Sequence, residues 1–150
     1  MLSLQEISDR LEIQDLCWRY AEAIDTKNFH MLREVFTPDA FIDYTCFGGI
    51  AGDLETIIAW LKEVFVPNIH PNHQHLTANL QIKLNGDEAT GRIMCFNPQE
   101  AGPALTGREG TQVYFCGLWY LDEYIRTKDG WRISRRVEEK SFTFNHPIHQ

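Results

Sequence analysis

Positive charge is scarce in this 150-residue chain: 14 Lys and Arg stand against 21 Asp and Glu, a net charge of −7. Such a surface repels a phosphate backbone and an anionic bilayer alike, so neither nucleic acid nor membrane is expected as a partner. No stretch approaches the ~18 consecutive apolar residues that a membrane-spanning helix requires. The opening residues, 1–10, carry neither a basic leader nor an apolar run, and a cytoplasmic protein is expected. Cys17, Cys46, Cys95 and Cys116 include no C-x-x-C pair, which leaves zinc ribbons and thioredoxin chemistry without support and predicts four buried thiols. Repeats, low-complexity tracts and dividing linkers are missing too, so residues 1–150 read as one domain. What remains, 43% hydrophobic residues with 12% aromatics, is enough to fill one core.

Ser3-x-x-Glu6 has the form of a capping box, and Leu4, Ile7, Leu11, Leu16, Cys17, Tyr20 and Ile24 follow at helical spacing, predicting a first helix to about Ile24. Phe29, Leu32, Val35 and Phe36 predict a short second helix closed by Pro38. Residues 40–44 read as a strand. Asp53 is a candidate N-cap for a third helix carrying Leu54, Ile57, Ile58, Leu61 and Phe65. From Leu76 the apolar period drops from 3.6 to 2. Asn85-Gly86 and Lys128-Asp129-Gly130 are hairpin signals, so strands near 73–84, 87–97, 111–125 and 131–143 form an antiparallel meander, with the longest loop at 100–110. The expected fold is α+β: three N-terminal helices packed on a curved antiparallel sheet as a half-open cone, with a ligand site between helices and concave face. Residues 113–124 are apolar on both faces, which predicts a partner subunit and a homodimer or homotrimer.

Three stretches can carry chemistry: residues 20–29 (YAEAIDTKNF), residues 42–47 (IDYTCF), and His73-Gln74-His75 leading to Asn79. In these residues and in its order of elements, the chain resembles the SnoaL-like branch of the nuclear-transport-factor-2-like superfamily, and within it the scytalone dehydratase-type lyases. The resemblance implies that Asp25 orients His75, which removes a carbon-bound proton, while Tyr44 and Tyr20 supply hydrogen bonds to developing oxyanion charge. Proton abstraction of this kind needs those residue types, because it takes a base with a pKa near working pH, a carboxylate fixing its tautomer, and a donor for the oxygen. Departures from the lyase pattern are Ile24 before the aspartate, Asn97 and Gln99 where a second histidine is expected, and Leu118, Trp119 and Tyr120 in place of small polar residues. Asn97, Trp119 and Phe115 are the candidate substrate contacts.

Plainer readings stand beside these. Asp25, near Lys27 and Asn28, also suits a turn residue bonding its own backbone. Strict alternation from Leu76 places His75 opposite the apolar face, unless a bulge near residues 75–77 re-aims it inward. Tyr20 and Tyr44 also suit core aromatics. His70, His73 and His75 lack a carboxylate at metal-ligand spacing, so no metal is expected. Arg135 shares parity with Trp131, Ile133 and Val137, which suits an inward arginine that is snorkelling or salt-bridged, while Arg132, Arg135 and Arg136 against Glu138 and Glu139 read together as a solvated edge. His146 and His149 lie in a tail that either closes over the pocket or moves freely. The expected function is a cofactor-independent lyase of the dehydratase type acting on a small hydrophobic hydroxy-carbonyl compound. The alternatives are an isomerase or cyclase of the same family, and a non-catalytic binding or oligomerising module. A small subunit of a ring-hydroxylating oxygenase is a further reading, and would co-purify with a larger iron–sulfur chain.

Overall fold

The computed structural model describes residues 1–147. Helix α1 spans Leu4–Asp25, opened by the capping box: Ser3 Oγ accepts from the Glu6 N–H, and the Glu6 carboxylate accepts from the Ser3 N–H. Its buried stripe runs through Ile13, Leu16, Cys17, Tyr20, Ala23 and Ile24. Leu4, Ile7 and Leu11, expected on that stripe, are exposed and align with exposed Trp18 as a second apolar strip. The buried residue of the first turns is instead Asp9, held by Arg126 at 2.8 Å and the Trp131 indole N–H at 3.1 Å.

The second expected helix is a 3-10 helix, Phe29–Glu34, and strand β1 (Phe36–Asp43) begins before Pro38. Proline tolerates this position because the β1 ladder is interrupted between Phe36 and Phe41, where its missing N–H costs no pairing. A 3-10 turn (Thr45–Phe47) and β2 (Ala51–Asp53) lead into α2 (Leu54–Val64), whose N-cap Asp53 accepts from the Thr56 N–H at 2.8 Å. The meander follows as β3 (Leu76–Asn85), β4 (Glu88–Ala101), β5 (Gln112–Thr127) and β6 (Gly130–Phe144), with a helical turn α3 (Pro103–Thr106) inside the expected long loop. Gly86 and Gly130 take the positive φ that the two hairpin turns demand.

The result is a mixed α+β fold with one six-stranded sheet in the order β2-β1-β6-β5-β4-β3. The sheet is not wholly antiparallel: β1 lies parallel to β6. No local pattern announces that pairing, because the two strands are far apart along the chain and only the closing of the sheet brings them together.

Two bulges decide which side chains face the helices. On β3 the register shifts between Ala78 and Gln81, and Asn79 adopts φ +50°, a left-handed conformation that asparagine tolerates better than most residues. Leu80, Ile82 and Leu84 pack against the core on one side of this bulge; on the other the inward residues are Thr77, paired with buried Cys95, and His75. On β6 the register shifts opposite Glu123 and Tyr124, so that Ile133 and Arg136, not Arg135, share the inner face.

The inner rows of β5, Tyr114, Cys116, Leu118, Tyr120, Asp122 and Tyr124, are buried against the helices. Arg136 is 1% exposed, forms two bonds to Asp122 at 2.8 and 2.6 Å, and lies between the Tyr20 and Tyr120 rings at 4.1 and 4.0 Å. The solvated edge expected for Arg136 is therefore corrected, and so is the inward placement of Arg135, which lies over the ring of exposed Phe41.

Candidate active site

The cavity follows from those parities. A space of ≈ 270 Å³ is lined by the inner face of the sheet, by α2 through Trp60, Leu61 and Val64, by Phe65 and Ile69 after it, and by Leu105 of α3. Small-molecule pockets begin at about this size.

Asp25 is the last residue of α1, and β3 begins beside it. Its Oδ2 accepts from the His75 backbone N–H at 2.9 Å, and its Oδ1 accepts from His75 Nδ1 at 2.6 Å. Both carboxylate oxygens are thus spent on one residue, which fixes backbone and ring together. With Nδ1 as donor, the Nε2 lone pair of His75 is left for the cavity that the ring lines. Burial works to raise the Asp25 pKa, but the hydrogen bonds and charge of His75 outweigh it, and the carboxyl stays below the usual aspartate range. Asp25 is therefore not the self-bonded turn residue that its neighbours Lys27 and Asn28 allowed.

The other histidines go separate ways. His73 is buried against Phe65, and its Nε2 donates to the Ile24 carbonyl at 3.0 Å. Burial lowers its pKa, so it stays neutral and leaves the Asp25 charge to His75. His70 meets the Tyr114 hydroxyl at 3.2 Å, and burial pushes its pKa down to about 4. Among the described residues no three His, Cys, Asp or Glu side chains are grouped to hold a metal ion.

Tyr20 and Tyr44 are buried with their hydroxyls 2.8 Å apart, so one donates to the other and a single O–H is left to point onward. Burial first, moderated by Arg136, raises the Tyr20 pKa to about 12 and keeps both phenols neutral donors. Asn97 lines the cavity, donates to the Gln74 carbonyl at 2.6 Å and accepts from Gln99, whose own carbonyl accepts from the Tyr114 hydroxyl at 2.8 Å. His146 packs edge-on against Tyr114 and lines the cavity, whereas His149 lies outside the described residues.

Trp119 and Phe115, expected as substrate contacts, are corrected: both belong to the outer row of β5. The Arg92 guanidinium covers Trp119 at 3.7 Å, and Phe115 stacks on Phe96 at 5.5 Å. Their neighbours Cys116 and Leu118 line the cavity instead.

Glu138, expected on a solvated edge, is corrected: it belongs to the cavity wall. It pairs with Tyr120 across the β5–β6 ladder and lines the cavity, with Cys46 Sγ at 3.9 Å as its hydrogen-bond partner. Cys46 is accordingly half-buried beside a carboxyl, unlike the fully buried Cys17, Cys95 and Cys116. Burial pushes the Glu138 pKa up to about 8 from its ordinary 4.5, against a smaller opposing pull from Arg136. The folded state therefore binds the Glu138 proton more tightly than the unfolded chain, and stability is lost as pH rises through that interval. His70, with a folded pKa below its ordinary 6.5, acts with the opposite sign below that pH. The clean window lies between pH 6.5 and 8, where stability should fall by at most about 2 kcal/mol. Urea midpoints measured across this window should decline for the wild type and stay level for Glu138→Gln; a level wild-type curve would show an ionised carboxylate.

A SnoaL-like domain model matches residues 5–137, a span that stops one residue before Glu138. Rv2910c of Mycobacterium tuberculosis (strain H37Rv) is 49% identical over 142 residues, covering 95% of this chain and 92% of that protein. A scytalone dehydratase-like protein from Novosphingobium aromaticivorans superposes with a TM-score of 0.78 at 15% identity, over 96% of this chain and 95% of its own. The hexachlorocyclohexane dehydrochlorinase LinA-type3 from Novosphingobium barchaimii gives 0.78 at 18% identity, over 93% and 91%. At those identities the two structures share the fold with this chain. A helix ending in Asp25 beside a strand entering at His75 is thus set in a family frame that extends over nearly all the residues described, and the chain belongs to the SnoaL-like family.

Proposed function

We propose that the cavity is the active site of a cofactor-independent lyase of the dehydratase type, acting on a small hydrophobic hydroxy-carbonyl compound. The observation that carries the reading is the 2.6 Å contact between Asp25 Oδ1 and His75 Nδ1 on the wall of a half-open, largely apolar cavity. His75 Nε2 removes the proton α to the carbonyl, and Asp25 stabilises the imidazolium that forms. The free hydroxyl of the Tyr20–Tyr44 pair, with the second amide hydrogen of Asn97, hydrogen-bonds the carbonyl oxygen as enolate charge develops. The names of the dehydratase-like and dehydrochlorinase neighbours, both denoting eliminations, agree with this chemistry.

The test is exchange of the α-protons of 2-tetralone in deuterated buffer, followed by NMR. Exchange well above the buffer rate supports proton abstraction. Binding without exchange would move the assignment to a ligand-binding module.

We also propose that the protein is a homo-oligomer. Phe96, Phe115 and Phe144 form an aromatic run on the outer sheet face, the first two stacked and the third tilted against Phe115, joined there by exposed Leu76, Val113 and Phe142. A contiguous apolar patch of this kind is rarely left in water by a monomer. Light scattering should give the mass of a dimer or trimer of the 17.4 kDa chain, and Phe115→Glu should shift it toward monomer; a monomeric wild type would overturn the proposal.

A further inference from the structure

Glu138 has no part in the proton abstraction just described, yet it opens into the same cavity as His75. We propose that Glu138 is a second catalytic residue, a neutral carboxylic acid that gives its proton to the departing hydroxyl group while His75 takes the carbon-bound proton. The assignment rests on the lyase reading and adds to it the group that would make the reaction an elimination, not an isomerisation.

Geometry comes first. The β6 bulge that turns Arg136 inward also turns Glu138 inward two residues later, beside Tyr120. Groups of either charge surround it without pairing with it. On its own strand, Arg136 commits two guanidinium nitrogens to Asp122, and Lys140 lies over the Phe47 ring at 5.5 Å. Asp43 on β1 adds repulsion; Tyr44 and Cys46 after β1, Tyr20 on α1, and Cys116 and Tyr120 on β5 are neutral. Among the described residues the one hydrogen bond to Glu138, from the Cys46 thiol, is long and weak. A carboxyl so placed keeps its proton at neutral pH, which accords with its raised pKa of about 8. Asp25 is held ionised by His75 in the same site, and two carboxyls driven apart in this way divide base-side and acid-side roles between them.

The step balances. His75 Nε2 accepts the α-proton, the electron pair of that C–H bond becomes the new C=C bond, the C–O bond to the hydroxyl breaks, and the Glu138 O–H supplies the proton that makes the leaving group water. The enzyme is left with a His75 imidazolium and a Glu138 carboxylate. A proton passing from the first to the second through cavity or bulk water restores the starting state, with no oxidant or reductant involved.

Two probes separate this role from a structural one. 3-Hydroxycyclohexanone must expel hydroxide, whereas 3-acetoxycyclohexanone expels acetate, which needs no proton; both give 2-cyclohexenone, read by its ultraviolet absorbance. Glu138→Gln keeps the size and neutrality of the protonated side chain. It should lower the hydroxy-to-acetoxy ratio of kcat/KM by about 10²-fold, within the range for loss of a general acid. The wild-type rate on the hydroxy probe should also fall above pH 8, a limb absent from the variant. An infrared carbonyl band of a protonated carboxylic acid should be present at neutral pH in the wild type and lost in the variant. An unchanged ratio, an equal loss on both probes, or a missing infrared band each overturns the assignment. Full acetoxy turnover by His75→Ala, or no turnover of either probe by the wild type, removes the lyase reading itself and Glu138's role with it.

Discussion

His75→Ala should lose α-proton exchange and elimination by a factor of roughly 10²–10⁴ while the protein stays folded. Among the described residues His75 is the only cavity group whose ring is held on one nitrogen by a carboxylate and presents the other inward. Alanine removes that lone pair. The fold should survive because the Asp25 Oδ2 bond to the residue 75 backbone N–H does not depend on the side chain. The partners of β3, chiefly Phe96, Cys95 and Met94 on β4, are also untouched. Asp25→Asn gives a complementary test. Its amide can present either an acceptor or a donor to Nδ1, so the tautomer is no longer fixed; kcat should drop by about 10²-fold or more, with a smaller change in KM. Circular dichroism and thermal melts on the same samples separate lost chemistry from lost structure. A fully active His75→Ala variant would take His75 out of the mechanism.

The largest stability effect should come from Asp122→Ala. Asp122 and Arg136 side chains are 0% and 1% exposed, so the alanine variant leaves a guanidinium in the core without its counter-charge. It also removes the acceptor of the Tyr124 hydroxyl at 2.8 Å. Breaking one side of a buried pair costs about 3–5 kcal/mol. That is a large part of the roughly 5–15 kcal/mol that holds a domain of this kind together. The double variant Asp122→Leu with Arg136→Met should recover most of the loss, because a thioether between Tyr20 and Tyr120 keeps the aromatic contacts and no charge is buried. Denaturant midpoints of the three proteins measure the loss and its recovery. A single variant less than about 1 kcal/mol below wild type would mean that Arg136 escapes to water.

Local chemistry is readable from the sequence where local chemistry decides the outcome. Ser3 and Glu6 cap α1, Asp53 caps α2, and the hairpin glycines sit in the left-handed region, because each of these is settled by near neighbours along the chain. What escapes is whatever depends on partners far along the chain. The parallel β1–β6 pairing is one case. The bulges are another: a residue-by-residue alternation does not show where a strand inserts an extra residue, and one insertion inverts every prediction beyond it. That single cause explains why alternation puts Arg135 inward and Arg136 outward, and why it leaves Glu138 on a solvated edge. At β3 the sequence points to a bulge near residues 75–77; it lies instead at Asn79, close enough to bring His75 to the cavity by the route expected. Trp119 and Phe115 fail differently: β5 is apolar on both faces, so hydrophobicity does not tell wall from outer surface, although parity with Tyr120 does so.

The extra residue on β3 also partitions the strand for anyone who would redesign this protein. Leu80, Ile82 and Leu84 answer to the packed interior, whereas His75, on the far side of Asn79, belongs to the chamber, with Thr77 on the same face. Changes at position 77 can therefore be made beside the chamber while the packed half keeps the scaffold intact. Ironing out the bulge with the residue kept, as a β-branched Asn79→Val that resists the left-handed φ of +50° would favour, would fuse the two halves into one uninterrupted alternation and turn the histidine outward, a change of one uncharged side chain that disarms the site without touching any group in it.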